Sequence, residues 1–138
     1  MSTRDDKYGE RVTLLCVDDD KCWLQYEKIF LEDFGYAVVT ASSGREALEL
    51  AELRFFDIAI VDYCMPEMNG EEFAVAMRRR WPRTPIVMLS GMLDVPEEVF
   101  EVVDAFVDKE GCGNALLTAL TFLKEEHSVT ANIRDIGS

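Results

Sequence analysis

Four apolar runs of the sequence each end on a polar or charged side chain. In chain order these end groups are Asp18 with Asp19, Asp62, Ser90 and Lys109. Carboxylates held close together repel one another, and a bound hard cation relieves the repulsion while keeping oxygen ligands. A lysine and a hydroxyl suit the oxygens of a transferring phosphoryl group. The set therefore predicts a Mg²⁺ site, built from the three aspartates, in which Asp62 attacks phosphorus to give an aspartyl phosphate.

The apolar runs that carry these groups are typical of strands buried on both faces of a parallel sheet. Predicted strands cover residues 12–17, 36–40, 58–62, 85–89 and 104–109. Predicted helices lie between and after them, over 21–34, 43–53, 71–81, 96–102 and 114–126. Short connections between alternating elements imply right-handed βαβ units and an α/β fold. If the first strand lies beside the third, as in the flavodoxin-like order, the carboxylates share one crevice at the carboxyl edge.

One strand-end aspartate alone would not establish a site. At Asp62 the alternative is a turn cap, and the loop that follows, with Met65-Pro66 and Asn69-Gly70, has the residues that a compact turn requires. What favours chemistry is the meeting of several such ends at one edge. Asp20, next to the acidic pair, is predicted to cap the first helix and not to bind metal.

Length and composition indicate one globular domain, since the 138 residues are 49% hydrophobic and 30% charged. The net charge of −13 argues against direct binding of nucleic acid, whose phosphates it would repel. No apolar run approaches the length of a membrane span, and the first residues do not resemble a signal peptide. Four cysteines without a C-x-x-C pair predict reduced thiols. We therefore expect a cytoplasmic protein without membrane contact.

In combination these motifs resemble the receiver domain of bacterial response regulators in two-component signalling. The motifs are Val17-Asp18-Asp19, Asp62 with Met65-Pro66 and Gly70, Ser90-Gly91, and Lys109. The resemblance implies a flavodoxin-like (βα)5 three-layer sandwich with a parallel five-stranded sheet of order 2-1-3-4-5.

The resemblance also implies roles for individual residues. Asp62 becomes the phosphoacceptor, which takes phosphate from a histidine kinase or a histidine phosphotransfer protein. Ser90 and Lys109 hold the phosphoryl oxygens, and the Cys64 backbone carbonyl joins Asp18, Asp19 and Asp62 as a ligand of Mg²⁺. Ser90 and Phe106 become the switch residues, which act on the surface of the fourth helix, fifth strand and fifth helix.

The sequence departs from the family pattern at several positions. Glu110 follows Lys109 where the family usually has proline, and the fourth helix looks short. Phe106 lacks the hydroxyl group of a tyrosine. Cys64 and Met92 occupy positions that tune dephosphorylation in the family, and neither offers a strong polar group to orient water. The expectation is a phosphorylated state of long lifetime.

For the chain as a whole we predict a flexible segment over residues 1–11, a receiver domain over 12–126, and a tail or the start of a linker over 127–138. Such a domain is not an enzyme beyond its own phosphorylation and slow dephosphorylation. Its output would pass to a downstream effector protein or to an effector domain outside this sequence. A monomer or weak dimer is expected. Arg78-Arg79-Arg80 is predicted to be a solvated helix end, and it is the chain's only basic cluster.

Three other functions remain as alternatives. The first is a receiver-like interaction module that is not phosphorylated, which the complete acidic set disfavours. The second is a haloacid dehalogenase-type phosphatase, but that family needs a second acid two residues after the nucleophile, where this chain has Cys64. The third is an FMN carrier, which the run Asp18-Asp19-Asp20 disfavours because it would repel the FMN phosphate.

Overall fold

Strands and helices alternate along the chain. The computed structural model describes residues 11–91, 95–111 and 113–137, with side chains as far as residue 126. The strands are β1 (Thr13–Val17), β2 (Ala37–Ala41), β3 (Ile58–Asp62), β4 (Ile86–Ser90) and β5 (Ala105–Asp108). The helices are α1 (Lys21–Asp33), α2 (Gly44–Leu53), α3 (Gly70–Arg80), α4 (Val99–Val102) and α5 (Gly113–Gly137). Within these ranges no helix has both the length and the apolar character needed to cross a bilayer.

All five strands are parallel and form one sheet of order β2-β1-β3-β4-β5. The register aligns their carboxyl ends, because Val17 lies beside both Ala41 and Val61 while Ser90 lies beside Asp108. This confirms the predicted α/β, flavodoxin-like fold and its strand order. Every polar group that follows a strand is consequently delivered to the same edge of the sheet.

Helices cover both faces of the sheet, and the alternation of side chains along each strand divides the core in two. On β1, Leu14 and Cys16 belong to one buried cluster, while Leu15 and Val17 belong to the other. Because β3 and β4 are buried at every position, neither can turn a polar side chain outward before its last residue. Burial of the inner strands thus restricts polar side chains to the strand ends.

Side-chain caps fix where the helices begin. Asp20 accepts hydrogen bonds from the backbone N–H groups of Cys22 and Trp23, as predicted for the α1 cap. Ser43 accepts from the N–H of Glu46 at the start of α2. A reciprocal capping box between Asn69 and Glu72, which was not predicted from the sequence, begins α3 immediately after the Asp62 loop.

Three expectations about the helices are wrong. Helix α5 continues to Gly137, beyond its predicted end near Glu126, because no proline or glycine interrupts residues 127–136. The sequence also predicts Asn114 as the cap of this helix, but Asn114 lies within it, because the helix begins at Gly113. The solvated helix end is wrong for Arg78, which is partly buried and donates to Asp104 Oδ2 at 2.7 Å and to the Val102 carbonyl at 3.0 Å, whereas Arg79 and Arg80 are exposed.

Other expectations fall outside the described residues. They are the flexible segment as far as residue 10 and the positions Met92 and Cys112. Cys16, Cys22 and Cys64 are not in disulfides, and α4 is short, as expected.

Gly70 holds the Asp62 loop against the sheet, and its replacement by alanine is expected to destabilise the protein by about 2–4 kcal/mol. A Cβ at this position would lie 2.6 Å from the Asp62 carbonyl oxygen and 2.8 Å from Met88 Sδ. Gly91→Ala is the control, because a Cβ there meets nothing within 4 Å. Urea denaturation measures both variants, and equal losses would contradict the steric argument.

Candidate functional site

Three carboxylates meet in the crevice between the carboxyl ends of β1 and β3. Asp18 and Asp62 are 2% and 6% exposed, whereas Asp19 is open to solvent. One oxygen from each lies within 4.8 Å of those of the other two. The parallel register explains this, because Val17 and Val61 are direct neighbours and the acids lie at or just beyond these two strand ends. The structure therefore brings together the three predicted aspartates.

Lys109 joins the two buried carboxylates. Its Nζ atom donates to Asp18 Oδ2 at 2.6 Å and to Asp62 Oδ1 at 3.3 Å. Burial lowers the pKa of this lysine, but the hydrogen bonds and charges of Asp18 and Asp62 together outweigh burial and raise the pKa above its ordinary value. The ammonium also lies 4.8 Å from the centre of the Trp23 ring. Lys109 is thus a fixed positive charge between Asp18 and Asp62.

Burial raises the pKa of Asp62 from its ordinary 3.8 to about 6, and the charge of Asp18 adds to the rise. Lys109 opposes both effects without cancelling them. A carboxylate with a raised pKa is a better base and a better nucleophile than an ordinary surface aspartate, provided that it is ionised. With a pKa of about 6, Asp62 is mostly ionised near neutral pH, so it is a good nucleophile under those conditions.

Backbone hydrogen bonds hold the loops that carry these groups. The Asp20 N–H donates to Asp18 Oδ1 at 2.9 Å, which fixes the Asp18 carboxylate within the acidic turn. The Lys109 N–H donates to the Ser90 carbonyl at 2.9 Å, which ties the lysine to the end of β4. In the described chain every peptide bond is trans, including Lys109–Glu110. A hydrogen bond from the Glu110 N–H to Asp108 Oδ1 stabilises the turn that follows Lys109.

The other predicted site residues lie at the same edge or on β5. Ser90 is 2% exposed and ends β4. Phe106 is half-buried on β5, and its ring centre lies 5.1 Å from that of Phe100. Cys64 follows Asp62 by two residues and is exposed. These positions are compatible with the roles that the family resemblance implies.

The donor set fits a hard divalent cation. Carboxylate oxygens are the ligands that Mg²⁺ and Ca²⁺ prefer, and one exposed acid leaves room for water or phosphate oxygens. No soft or imidazole ligand belongs to the cluster of Asp18, Asp19 and Asp62. The chemistry of these side chains therefore matches the predicted Mg²⁺.

Sequence reasoning missed a fourth acidic group near this crevice. Glu27 lies on the face of α1 that packs against the sheet, between Leu24 and Leu31, and is 3% exposed. The Cys16 thiol donates a hydrogen bond to it, while its Oε2 atom has no partner among the described residues. Burial raises the pKa of Glu27 from 4.5 to about 8, and Asp18 adds to the rise. The signal was present in the sequence as an acid at a core position of the helical repeat.

Glu27→Leu is expected to stabilise the protein increasingly as the pH rises from about 4.5 to about 8. Across that interval Glu27 keeps a proton in the folded chain that it has lost in the unfolded chain, so this one group lowers the stability of wild type by up to about 1.4 kcal/mol per pH unit. Leucine removes this dependence and the unpartnered oxygen atom. Urea denaturation at several pH values gives the difference, with the exposed Glu49→Leu as control. A difference that stays constant with pH would contradict a buried neutral carboxyl group.

The fold and site define a doubly wound α/β domain with an acidic crevice and a lysine at the carboxyl edge of its sheet. The sequence model of the family described as the response regulator receiver domain matches residues 14–121. The chain therefore belongs to the response regulator receiver domain family, as its motifs indicated.

Individual relatives agree with this assignment. Cell cycle response regulator CtrA from Brucella ovis is 31% identical over 86 residues, which cover 62% of this chain and 37% of that protein. The chain thus spans little more than a third of the length of the curated relatives that it matches.

Two solved structures share the fold. A CheY-like receiver domain protein from Methanospirillum hungatei superposes with a TM-score of 0.82 at 28% identity, covering 88% of this chain and 99% of that one. Response regulator TrrA from Thermotoga maritima, solved in complex with Mg(2+)-BeF, has a TM-score of 0.78 at 26% identity. The coverage there is 81% of this chain and 98% of that one.

Proposed function

We propose that this receiver domain accepts a phosphoryl group on Asp62 from a phosphohistidine of a histidine kinase or histidine phosphotransfer protein. The observation that carries the proposal is the placement of Lys109 on Asp18 and Asp62, beside a cluster of three carboxylates. Asp62 is the acid at the centre of this arrangement, since it ends the middle strand of the sheet.

Each residue has a distinct part in the transfer. A carboxylate oxygen of Asp62 forms the new O–P bond while the N–P bond of the donor breaks, and the released electron pair stays on the imidazole, which takes up a proton. Lys109 neutralises charge on the phosphoryl oxygens as they approach Asp62. The Ser90 hydroxyl, at the end of the neighbouring strand, donates to one of those oxygens. Burial excludes water from the acceptor.

Asp18, Asp19 and Asp62 would hold Mg²⁺, with the Cys64 carbonyl as the further ligand that the resemblance implies. Bound there, the cation supplies positive charge that offsets the negative charge of the phosphoryl group. The related regulator TrrA, solved in complex with Mg(2+)-BeF, supports this choice of metal.

Phosphorylation would be read out through Ser90 and Phe106. Phe106 packs with Phe100 of α4, so a rearrangement of Ser90 and Phe106 would reach the surface of α4, β5 and α5. The partner on this surface is an effector protein or an effector domain of a longer chain. Such a domain catalyses only its own phosphorylation and slow dephosphorylation. We place it in the cytoplasm, where the kinase would donate phosphate.

A long-lived phosphorylated state follows from the positions that flank the acceptor. Cys64 offers a thiol, which orients attacking water poorly. The decay of the phosphorylated mass after removal of the donor measures this lifetime, and hydrolysis that Cys64→Asn or Cys64→Asp does not accelerate would contradict the argument.

The direct test is incubation with acetyl phosphate and Mg²⁺, followed by intact mass. We expect the mass of one phosphoryl group to be added, and addition of EDTA to prevent it. A wild-type mass that does not change would overturn the proposal and favour a receiver-like interaction module that is not phosphorylated.

A further inference from the structure

Arginines are concentrated at the pole of the molecule opposite the acidic crevice. Five of the chain's 14 lysines and arginines lie near the amino-terminal edge of the sheet. Two are in the α2–β3 and α3–β4 connections, and three are in the last turn of helix α3. The five are Arg54, Arg78, Arg79, Arg80 and Arg83. The same connections and the helix turns before them hold two acids, Glu52 and Asp57, so they keep an excess of positive charge in a chain whose net charge is −13. Nothing in the phosphoacceptor site accounts for it.

The same pole exposes apolar side chains around a cavity. Leu53 and Phe55 are 80% and 73% exposed, the highest values among the large apolar residues of the described chain. They line a cavity of about 270 Å³ together with Phe56, Met77 and Trp81. We call this the α2–β3 pocket. Exposed apolar side chains that border a cavity are typical of a binding site and not of a solvated surface.

The arginines of this pole differ in what they contact. Arg80 makes two hydrogen bonds to Glu52 and lies 5.4 Å from the Trp81 ring centre, while Arg54 lies 5.6 Å from that of Phe56. Arg79 and Arg83 are exposed and have no acidic partner within the described ranges. The one acid that lines the pocket, Glu52, is already paired, so the rim retains positive charge.

We propose that the α2–β3 pocket binds an acidic peptide segment of a partner protein, with one large apolar side chain in the cavity. Carboxylates of the segment would pair with Arg54, which lines the pocket, and with Arg83, which lies between the lining residues Trp81 and Thr84. The cavity is large enough for one such side chain, and the positive rim complements an acidic peptide. Nucleic acid fits less well, because the rest of the molecule would repel its phosphates.

The position of the pocket has a consequence for signalling. The five residues of β3, at roughly 3.3 Å each, separate the pocket from Asp62 by on the order of 16 Å. A bound segment would leave the acidic crevice and the surface of α4, β5 and α5 open. The pocket therefore tethers a partner whether or not Asp62 is phosphorylated.

Fluorescence anisotropy with labelled peptides tests the proposal. The probes carry a central phenylalanine or leucine flanked by aspartates and glutamates, and control peptides replace either the apolar residue by serine or the acids by lysine. We expect only the complete probes to bind. Arg83→Glu and Phe55→Ser should each weaken binding about tenfold or more.

Two matched variants control for charge and for loss of an exposed ring. Arg45→Glu makes the same charge change at an exposed arginine on α2, and Phe122→Ser removes a ring that is 60% exposed on α5. Both should change affinity by less than about twofold. The proposal is overturned if no acidic peptide binds, if the controls weaken binding equally, or if an oligothymidylate binds in preference. Self-association that Arg83→Glu abolishes would overturn it in favour of a second copy of the chain.

Discussion

Replacing Asp62 with asparagine should lower phosphoryl incorporation from acetyl phosphate by more than about 100-fold, because an amide oxygen is not a nucleophile under these conditions. Of the three clustered acids, Asp62 alone ends the central strand β3, and it receives a hydrogen bond from Lys109 at 3.3 Å. Asparagine keeps the size of the side chain and leaves the Asp18–Lys109 contact in place. Loss of labelling would therefore report the missing carboxylate and not a collapsed site.

The control for this variant is Asp20→Asn, in the same acidic turn. Asp20 caps α1, and asparagine caps helices as well as aspartate does, so this change should preserve both fold and labelling. Intact mass after incubation with donor and Mg²⁺ measures both variants. Labelling of Asp62→Asn at the wild-type rate, or its loss in Asp20→Asn, would contradict the assignment of the acceptor.

The raised pKa of Asp62 adds a pH dependence to the same experiment. In the metal-free protein this carboxyl gains a proton as the pH falls through about 6, and the protonated form does not attack phosphorus. At limiting Mg²⁺ the initial labelling rate should therefore decrease when the pH is lowered past about 6. Saturating Mg²⁺ should move the midpoint lower, because a nearby cation favours the carboxylate.

The polar groups at the strand ends were predictable from the sequence, because a strand that is buried on both faces has no exposed position for a polar side chain before its end. Asp18, Asp62 and Ser90 each follow or end a buried run, and the parallel register that aligns Val17 with Val61 brings these ends to one edge. Lys109 reaches the same edge after β5, an edge strand that is only partly buried. The same pattern, short apolar runs that end on polar residues, therefore predicts both the fold class and the site. The roles of Cys64 and Phe106 came only from the family resemblance, and the structure adds their positions and exposure.

The features that sequence analysis missed depend on tertiary contacts. The basic run that includes Arg78 is typical of a solvated helix end, yet Asp104 and the Val102 carbonyl accept its hydrogen bonds from 26 and 24 residues away. Tyr26 belongs to the apolar repeat of α1 but is 57% exposed. Helical periodicity identifies an apolar stripe and does not show how much of it a neighbouring element covers.

Lys109→Met should destabilise the metal-free protein by about 3 kcal/mol, because it leaves two buried carboxylates without their cation. Methionine keeps an unbranched apolar side chain against Trp23, so packing changes little. Lys28→Met is the matched control. It breaks an ion pair of the same 2.6 Å length to Glu32 and a hydrogen bond to the Val38 carbonyl, but the side chains of the ion pair are more than 40% exposed, so the cost should be only about 1 kcal/mol.

Added Mg²⁺ should restore stability to Lys109→Met more than it stabilises wild type. In wild type the ammonium already contacts Asp18 Oδ2 and Asp62 Oδ1, two of the three carboxylates that would hold the cation, and repels a second positive charge. Without the lysine the carboxylates gain more from binding Mg²⁺, so affinity by titration calorimetry should rise even though phosphoryl transfer slows. Equal stabilisation of both proteins by Mg²⁺ would mean that the cation binds elsewhere, and that Lys109 does not share the carboxylates with it.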